Sequence, residues 1–458
     1  MEETGSAILE NKVTPRGSDL LLDPSFPYGE QLLQFIWEAG LFDREDLRTT
    51  EGIPLELLSR GRIQMNSGPD LRDALVRIGE QLWAGNVEVH VRASEWNAHG
   101  HQHDPAYNNV VLHTVYLYDG EVRTEDGRCP PTVELRARIN EENLHLHQVL
   151  MNGLGPVPCA SRIQEVDAGR IRIWLERLLV ERLERKTTEV EALYKRLDND
   201  AAETFHHMLL RGLGGNVNAE PFGMLAHALP LKLLLKYRDD PTRTEALLFG
   251  QAGFLAEAFT EAHPQRLQQE HAPLARLHGL RPVPAAAWKF GRMRPANFPT
   301  VRLAQWAAFI TGSNNAYGQI LEHDDPEPIC ALLQVEASGY WSDHYRFEQP
   351  VGSRPKRLGR STADSIIINS IVPYLFAMGR IRGHQPWMDR ALRLMEQLPA
   401  ERNSIVDMWA DLGVRAENAA HGQALLELKK HYCAERKCLS CSIGTCLHKR
   451  IGATAAQR

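Results

Sequence analysis

Between Asn66 and His90 the sequence reads NSGPDLRDALVRIGEQLWAGNVEVH, and its last seven residues with their neighbours constrain the fold most. From Asn86 to Arg92 apolar and polar residues alternate, so Val87, Val89 and Val91 share one face of a strand, and Asn86, Glu88, His90 and Arg92 the other. The valine face requires a core. The polar row lies within an apolar stretch and sets Glu88 and His90 about 7 Å apart along the backbone. Hard divalent cations take carboxylate oxygens, and Asp70 can approach Glu88 across a hairpin that turns near Gly79 and Glu80. The stretch is therefore a candidate metal site.

A chain of 458 residues, 24% charged and 43% hydrophobic, has room for two or three domains with substantial cores. A formal net charge of -6 argues only weakly against a nucleic-acid partner, because it says nothing of where Arg and Lys cluster. No apolar run approaches the roughly 20 residues that span a bilayer, and the N-terminus lacks the layout of a secretory signal, so a cytoplasmic protein with no membrane partner is expected. Protein partners are left open. Cys129, Cys159 and Cys330 stand singly, whereas Cys433, Cys438, Cys441 and Cys446 crowd into the tail. In a reducing compartment such crowding reads as metal ligation rather than as disulfides.

Residues 1–28 are polar, without sustained periodicity, and read as a flexible leader. Glu30–Gly40 has the spacing of an amphipathic helix ending on glycine, suited to cover a sheet face. Strands are expected at Leu71–Ile78, Gln81–Arg92, Asn109–Tyr118 and Thr132–Ile139, with a polar connector that starts at Ser94 as a helix cap. Gly153, Gly155, Pro156 and Pro158 mark a domain boundary. Beyond Ala168 the pattern turns helical, over Arg170–Lys186, Ala201–Arg211, Phe222–Tyr237, Thr244–Ala262, Thr300–Ile310, Ile366–Arg380, Trp387–Gln397 and Ala419–His431, with no fixed-period repeat.

Pro69-Asp70 followed by Glu88-Val89-His90 resembles the PD-(D/E)xK nuclease superfamily. There an Asp, and an acidic residue two before a Lys, bind Mg²⁺ and orient a water for phosphodiester cleavage. The order of helix, strands and connector is similar as well. The resemblance implies a restriction-endonuclease-like α/β domain over residues 29–150 with Mg²⁺ or Mn²⁺ held by Asp70 and Glu88. His90 stands where the superfamily has Lys, and with His113 on the next strand it completes the expected catalytic set of Asp70, Glu88, His90 and His113. Histidine can act as a neutral base or as a ligand but supplies no constant positive charge near neutral pH. The plainer reading makes Asp70 a turn former and Glu88 and His90 a solvated edge.

The connector HGHQHD, His99 to Asp104, could ligate Zn²⁺ and superficially resembles the HxHxDH signature of metallo-β-lactamase-like hydrolases, although its aspartate follows the last histidine. Alternatively it forms the rim of the carboxylate site, where one or two of His99, His103 and Asp104 help position the scissile phosphate or the water, with Arg92 of the preceding strand, His99 and His103 as the expected substrate contacts. In WKFGRMRPANFPTVR, Lys289, Arg292, Arg294 and Arg302 interleave with Trp288, Phe290 and Phe298, a mixture suited to phosphate contacts with base stacking. It equally suits a structured loop with Arg-aromatic packing, and YWSDHYRF (340–347) and KRLGR (356–360) allow the same two readings.

The tail cysteines are separated by four, two and four residues and can close a Cys₄ site for Zn²⁺ or a [4Fe-4S] cluster. Their layout resembles the cysteine loop that ends some DNA glycosylases and helicase-associated nucleases. Over nearly the whole chain after Tyr28, runs such as SGPDLRDALVRIG, LWAGNVEVHVRASEW, HGHQHDPAYNNVVLHTVY and KCLSCSIG resemble an uncharacterised bacterial family known only as a domain of unknown function. Cys433, Cys438 and Cys441 match that family's pattern, and His431 or His448 are alternatives to Cys446 as fourth ligand.

The expected protein is thus α+β. A restriction-endonuclease-like domain (29–150) precedes a mostly helical domain (160–430) and a cysteine-rich metal-binding tail (431–450). The function expected first is a metal-dependent nuclease acting on DNA or RNA. The alternatives are an inactive nucleic-acid-binding protein of the same fold and a Zn²⁺ hydrolase of small molecules using His99, His101, His103 and His113.

Overall fold

A computed structural model describes residue 26 and residues 28–64, 67–312 and 315–455. Most of the expected leader, and Asn66, lie outside the described residues. The chain divides into two compact units, residues 1–166 with 436–458, and residues 167–435.

In the first unit, α1 (Glu30–Ala39) buries Leu32, Leu33, Phe35, Ile36 and Trp37 and ends on Gly40 in the left-handed region, whose N–H meets the carbonyls of Ile36 and Trp37. A five-stranded sheet follows in the order β1 (Leu55–Ile63), β2 (Leu71–Ile78), β3 (Gln81–Arg92), β4 (Val110–Leu117) and β5 (Thr132–Glu134). The first three strands are antiparallel, whereas β3 with β4 and β4 with β5 are parallel. Four strands stand where the sequence pattern puts them, β5 being shorter than the Thr132–Ile139 expected. β1 was not expected, because LELLSRGRI is largely exposed and does not alternate cleanly.

Val87, Val89 and Val91 enter the core formed by α1 and the sheet. The opposite face is buried too, beneath the connector between β3 and β4, where Trp96, Tyr107, Val110 and Val122 form a second small core. Parallel pairing requires such a crossover, and here it is made of α2 (Glu95–Ala98) and two short 3₁₀ turns, His101–His103 and Pro105–Asn109. Ser94 does not cap α2 with its side chain. Its hydroxyl and N–H instead donate to Asp119, at 2.7 and 2.8 Å. α3 (Glu141–Asn152) closes this part of the chain, and the terminal helix Ser442–Ala455 returns to it, with His448 bonded to Asn143 and packed on Phe35.

The second unit is mostly helical. α4 (Ala168–Arg196) buries Ile171, Trp174, Leu175, Leu178 and Leu179 as the sequence stripe indicates. α5 (Ala201–Ala228) takes in the expected Ala201–Arg211 and only the first part of the expected Phe222–Tyr237, whose remainder is a separate helix Leu231–Lys236, and it kinks at Gly215 and Asn218. The expected helix Thr244–Ala262 is instead Pro241–Gln251, and a separate helix runs Ala262–His278. The break falls at Gly253, where φ is +77° and a Cβ would lie 2.4 Å from the Val283 carbonyl oxygen. The expected helix Ile366–Arg380 lies within a 23-residue helical run, Arg360–Arg382, that is long and apolar enough to cross a membrane by length and composition, contrary to the expectation of no such run, and 83% of its apolar window is buried within the protein.

Candidate functional site

The face of β3 opposite the valines becomes a site because β2 carries a bulge. Leu71 pairs with Val87 but Ala74 with Gly85, so Arg72 and Asp73 together face Asn86. Side chains alternate along a strand, and one extra residue reverses which parity points inward. Ala74, Val76 and Ile78 face the core, and across the bulge Leu71 joins them. Asp70 is thereby turned to the side of Glu88. Asp73 sits in the bulge at φ 60°, and the facing Gly61 at φ 88° has no room for a Cβ, which would lie 2.9 Å from the Arg72 carbonyl oxygen.

Asp70 and Glu88 lock each other in place. The Asp70 N–H donates to Glu88 Oε2 at 2.9 Å, and the Val89 N–H donates to Asp70 Oδ2 at 3.1 Å. Glu88 is only 3% exposed. Burial, with the Asp70 charge behind it, pushes its pKa up to about 9, and burial raises that of Asp70 as well. A third carboxylate joins them: Glu30 at the start of α1, raised to about 8 by burial and then by Asp70 and Glu88. Buried carboxylates crowded in this way mark a candidate site for a cation. Glu30 was missed in the sequence, where it reads as an ordinary acidic residue in a helix's first turn.

The histidines complete the centre. His90, fully buried, faces His113 on one side (Nδ1 to Nε2, 2.9 Å) and His99 on the other (Nε2 to Nδ1, 3.2 Å). β3 and β4 pair Glu88 with His113 directly. Burial pushes His90 down to about 2 and His113 to about 3, so both are neutral imidazoles. His101 stacks on Tyr107 at 3.8 Å between ring centroids, and its Nε2 lies 3.2 Å from Glu88 Oε1 without a hydrogen-bond partner. His90 Nε2 is 3.7 Å from the same oxygen. One ligand nitrogen from each of His90, His99 and His101 falls within 4.8 Å of the others. Trp96 forms the floor, in ring contact with His90, His101 and His113, and its Nε1 donates to the Arg123 carbonyl. The residues fit a divalent ion: an orphaned buried nitrogen and crowded carboxylates point at one place.

Other expected site residues lie elsewhere. His103 is exposed and stays outside the histidine group, its place taken by His101. Arg92 is half-buried and pairs with Asp119 at 3.8 Å. Lys289, Arg292 and Arg294 are exposed on a loop of the helical unit. That loop is pinned by Asn218, whose side chain bonds both the N–H and the carbonyl of Lys289 at 2.9 Å. Arg302 is a buried brace, bonded to Gln305, Asn297 and Thr362. The helical unit also holds an open cleft of about 1490 Å³ whose wall includes Lys186, Arg196, Arg211, Arg281 and Arg402. In the tail, Cys433 ends the helical run that starts at Ala419, Cys438 lies on a 3₁₀ turn, and Cys441 precedes the helix that carries Cys446. His448 is engaged by Asn143, and His431 lies near Glu427 and Glu435.

A protein-family model matches residues 30–404, and its description assigns no function. No curated protein and no solved structure matches the chain.

Proposed function

The chain belongs to the family described as "Protein of unknown function (DUF2851)", and from its carboxylate-histidine centre we propose that it is a metal-dependent nuclease. The observation that carries this reading is the bulge-driven convergence of Asp70 and Glu88 at the mouth of a histidine cluster, with the Asp70 N–H donating to the Glu88 carboxylate and the Val89 N–H to the Asp70 carboxylate. Element order supports it: a helix, three antiparallel strands, a crossover and a parallel strand follow one another as in the PD-(D/E)xK core that the sequence resembles.

Glu88 and Asp70 would hold the cation with His101, and Glu30, close enough to feel both carboxylates, would add negative charge beside it. Mixed carboxylate and imidazole donors suit Mn²⁺ or another transition ion better than Mg²⁺. When bound, such an ion acidifies a coordinated water and offsets charge on a phosphoryl oxygen. His90 does not replace the superfamily's lysine as a cation, since it is neutral and enclosed. It orients its neighbours, holding His113 on one side and His99 on the other. His99 is exposed and takes the proton of the attacking water at the rim. Trp96 and Tyr107 keep solvent from the other side. Nucleic acid is the partner, and the cleft of the helical unit, whose wall sets Arg196, Arg281 and Arg402 beside Glu189, Glu220 and Glu401, offers it phosphate contacts.

Cleavage of single-stranded, double-stranded and branched DNA and RNA by the full chain with Mn²⁺ tests the reading. Glu88→Gln is expected to lower the rate by about 100-fold or more, the upper end of what even second-shell partners of a metal contribute. Absence of cleavage on every substrate, together with Mn²⁺ binding unchanged in the Asp70→Asn, Glu88→Gln double variant, would reject it. The grouping of His90, His99 and His101 favours one other reading, a zinc hydrolase of small molecules. There zinc binding would survive loss of both carboxylates and vanish with His99→Ala and His101→Ala.

A further inference from the structure

Cys159 lies far in sequence from the cysteines of the tail, yet the fold brings it to them. The loop after α3 is tied to the tail by Arg436, whose guanidinium donates to the carbonyls of Leu150 and Gly153 at 3.2 and 2.9 Å. Arg436 sits at φ 54°, a conformation a non-glycine residue holds only when its surroundings fix it. Beyond it, Cys438 starts a 3₁₀ turn against which Gly444 packs so closely that a Cβ would meet the Cys438 carbonyl oxygen at 2.2 Å. The consequence is a triangle of thiols. Cys438 and Cys441 both lie near enough to Cys159 to oppose its ionisation, and Cys441 does the same to Cys438. Each of the three is 7% exposed.

Three buried thiols brought near one another from distant parts of the sequence, with an arginine clamp holding their two chain segments together, are more than core packing needs. By contrast, the buried Cys330 sits alone with Asp364, 3.3 Å from its sulfur. Spacing distinguishes the metals. Among the described residues, the one set of three ligand atoms within 4.8 Å of each other is His90, His99 and His101. At least one pair of the three sulfurs therefore stands more than 4.8 Å apart, beyond the roughly 3.8 Å edge that a tetrahedral zinc with ~2.3 Å bonds imposes. A multi-iron cluster, whose ligand sulfurs bind different irons, takes the wider set.

We infer that Cys159, Cys438 and Cys441 are thiolate ligands of an iron-sulfur cluster that joins the loop after α3 to the C-terminal segment. Each ligating thiol releases its proton to solvent on binding. The inference is independent of the nuclease reading, because none of these residues belongs to the carboxylate-histidine centre. Cys446, on the terminal helix of the same unit, is tested as the fourth ligand by adding Cys446→Ser to the substitution series.

The test is to purify the full chain anaerobically and measure iron, acid-labile sulfide, zinc and visible absorption. Iron and sulfide in matching amounts are expected, falling to background in Cys159→Ser, Cys438→Ser and Cys441→Ser and unchanged in Cys129→Ser and Cys330→Ser. Peptide-resolved alkylation of the unsubstituted protein covers the case in which a variant fails to fold. Cys159 should become reactive together with Cys438 and Cys441 when iron is stripped by oxidant and chelator. One zinc per chain without iron, full iron retained by Cys159→Ser, or a Cys159 reactivity indifferent to iron removal would each overturn the assignment.

Discussion

Glu88 is the residue on which the site turns, and its environment gives a pH signature. In the unfolded chain it titrates near 4.5, and in the folded protein burial and Asp70 hold it near 9. The folded state thus binds the extra proton between these values, and stability falls as pH rises through that window. The protein without metal should melt at progressively lower temperature from about pH 5 to pH 9, whereas Glu88→Gln, which cannot ionise, should make that slope shallower, the remainder coming from Glu30 and Asp70. Mn²⁺ should restore the loss at the alkaline end and release protons as it binds, measurable by calorimetry in buffers of different ionisation heat. His90 allows a second prediction at this scale. His90→Ala leaves His113 and His99 without their common partner and is expected to weaken Mn²⁺ binding by about 10- to 100-fold; unchanged affinity by the same calorimetry would show that it orients nothing. The alternation of Asn86–Arg92 put Glu88 and His90 on one face from sequence alone. Glu30 and His101 were not legible as members, because a helix's acidic first turn and a connector histidine carry no signal of what they will face.

At the scale of elements, the bulge in β2 decides whether the site exists. A strand without it would send Asp70 to the same face as Ala74, Val76 and Ile78, into the core and away from Glu88. Deleting Asp73 should therefore abolish metal binding while also forcing a carboxylate toward apolar surroundings. Asp73→Gly should do the opposite, relieving the φ 60° backbone and stabilising by about 0.5–1 kcal/mol with the site intact, in urea titration. Gly61→Ala, strained at φ 88° and crowded by the Arg72 carbonyl, should destabilise by about 1–3 kcal/mol. The bulge was latent in the sequence as a break of parity, with Leu71 odd and Ala74, Val76 and Ile78 even. Hydrophobic alternation read over the whole strand averages that break away. The strands beside it were legible because Val, Ile and Leu repeat at period two, and β1 was not, because an edge strand exposed along much of its length has no such repeat.

At the scale of the molecule, the first unit is discontinuous, opened before residue 167 and closed by residues 436–458. The coarse plan, a small sheet and then a mostly helical region, was readable from the change of period near Ala168. The return of the tail was not, since no periodicity states which partner a terminal helix will seek. That return has an energetic content. His448, wholly buried, bonds Asn143 at 3.2 Å and packs its ring on Phe35 and His147, while Arg436 binds two carbonyls at the end of α3. Ile443 and Leu447 on the terminal helix are 1% and 0% exposed. Two fully covered aliphatic side chains contribute about 1.5–3 kcal/mol each relative to exposure. Truncation after Glu435 removes them and uncovers the partners of His448, though no ligand of the carboxylate-histidine centre is touched. The shortened chain should therefore exchange its α1 and α3 amides much faster, by hydrogen-exchange mass spectrometry, and bind Mn²⁺ more weakly because Glu30 sits on α1. Protection in α1 and α3 equal to that of the full chain would show that the first unit holds together without its tail.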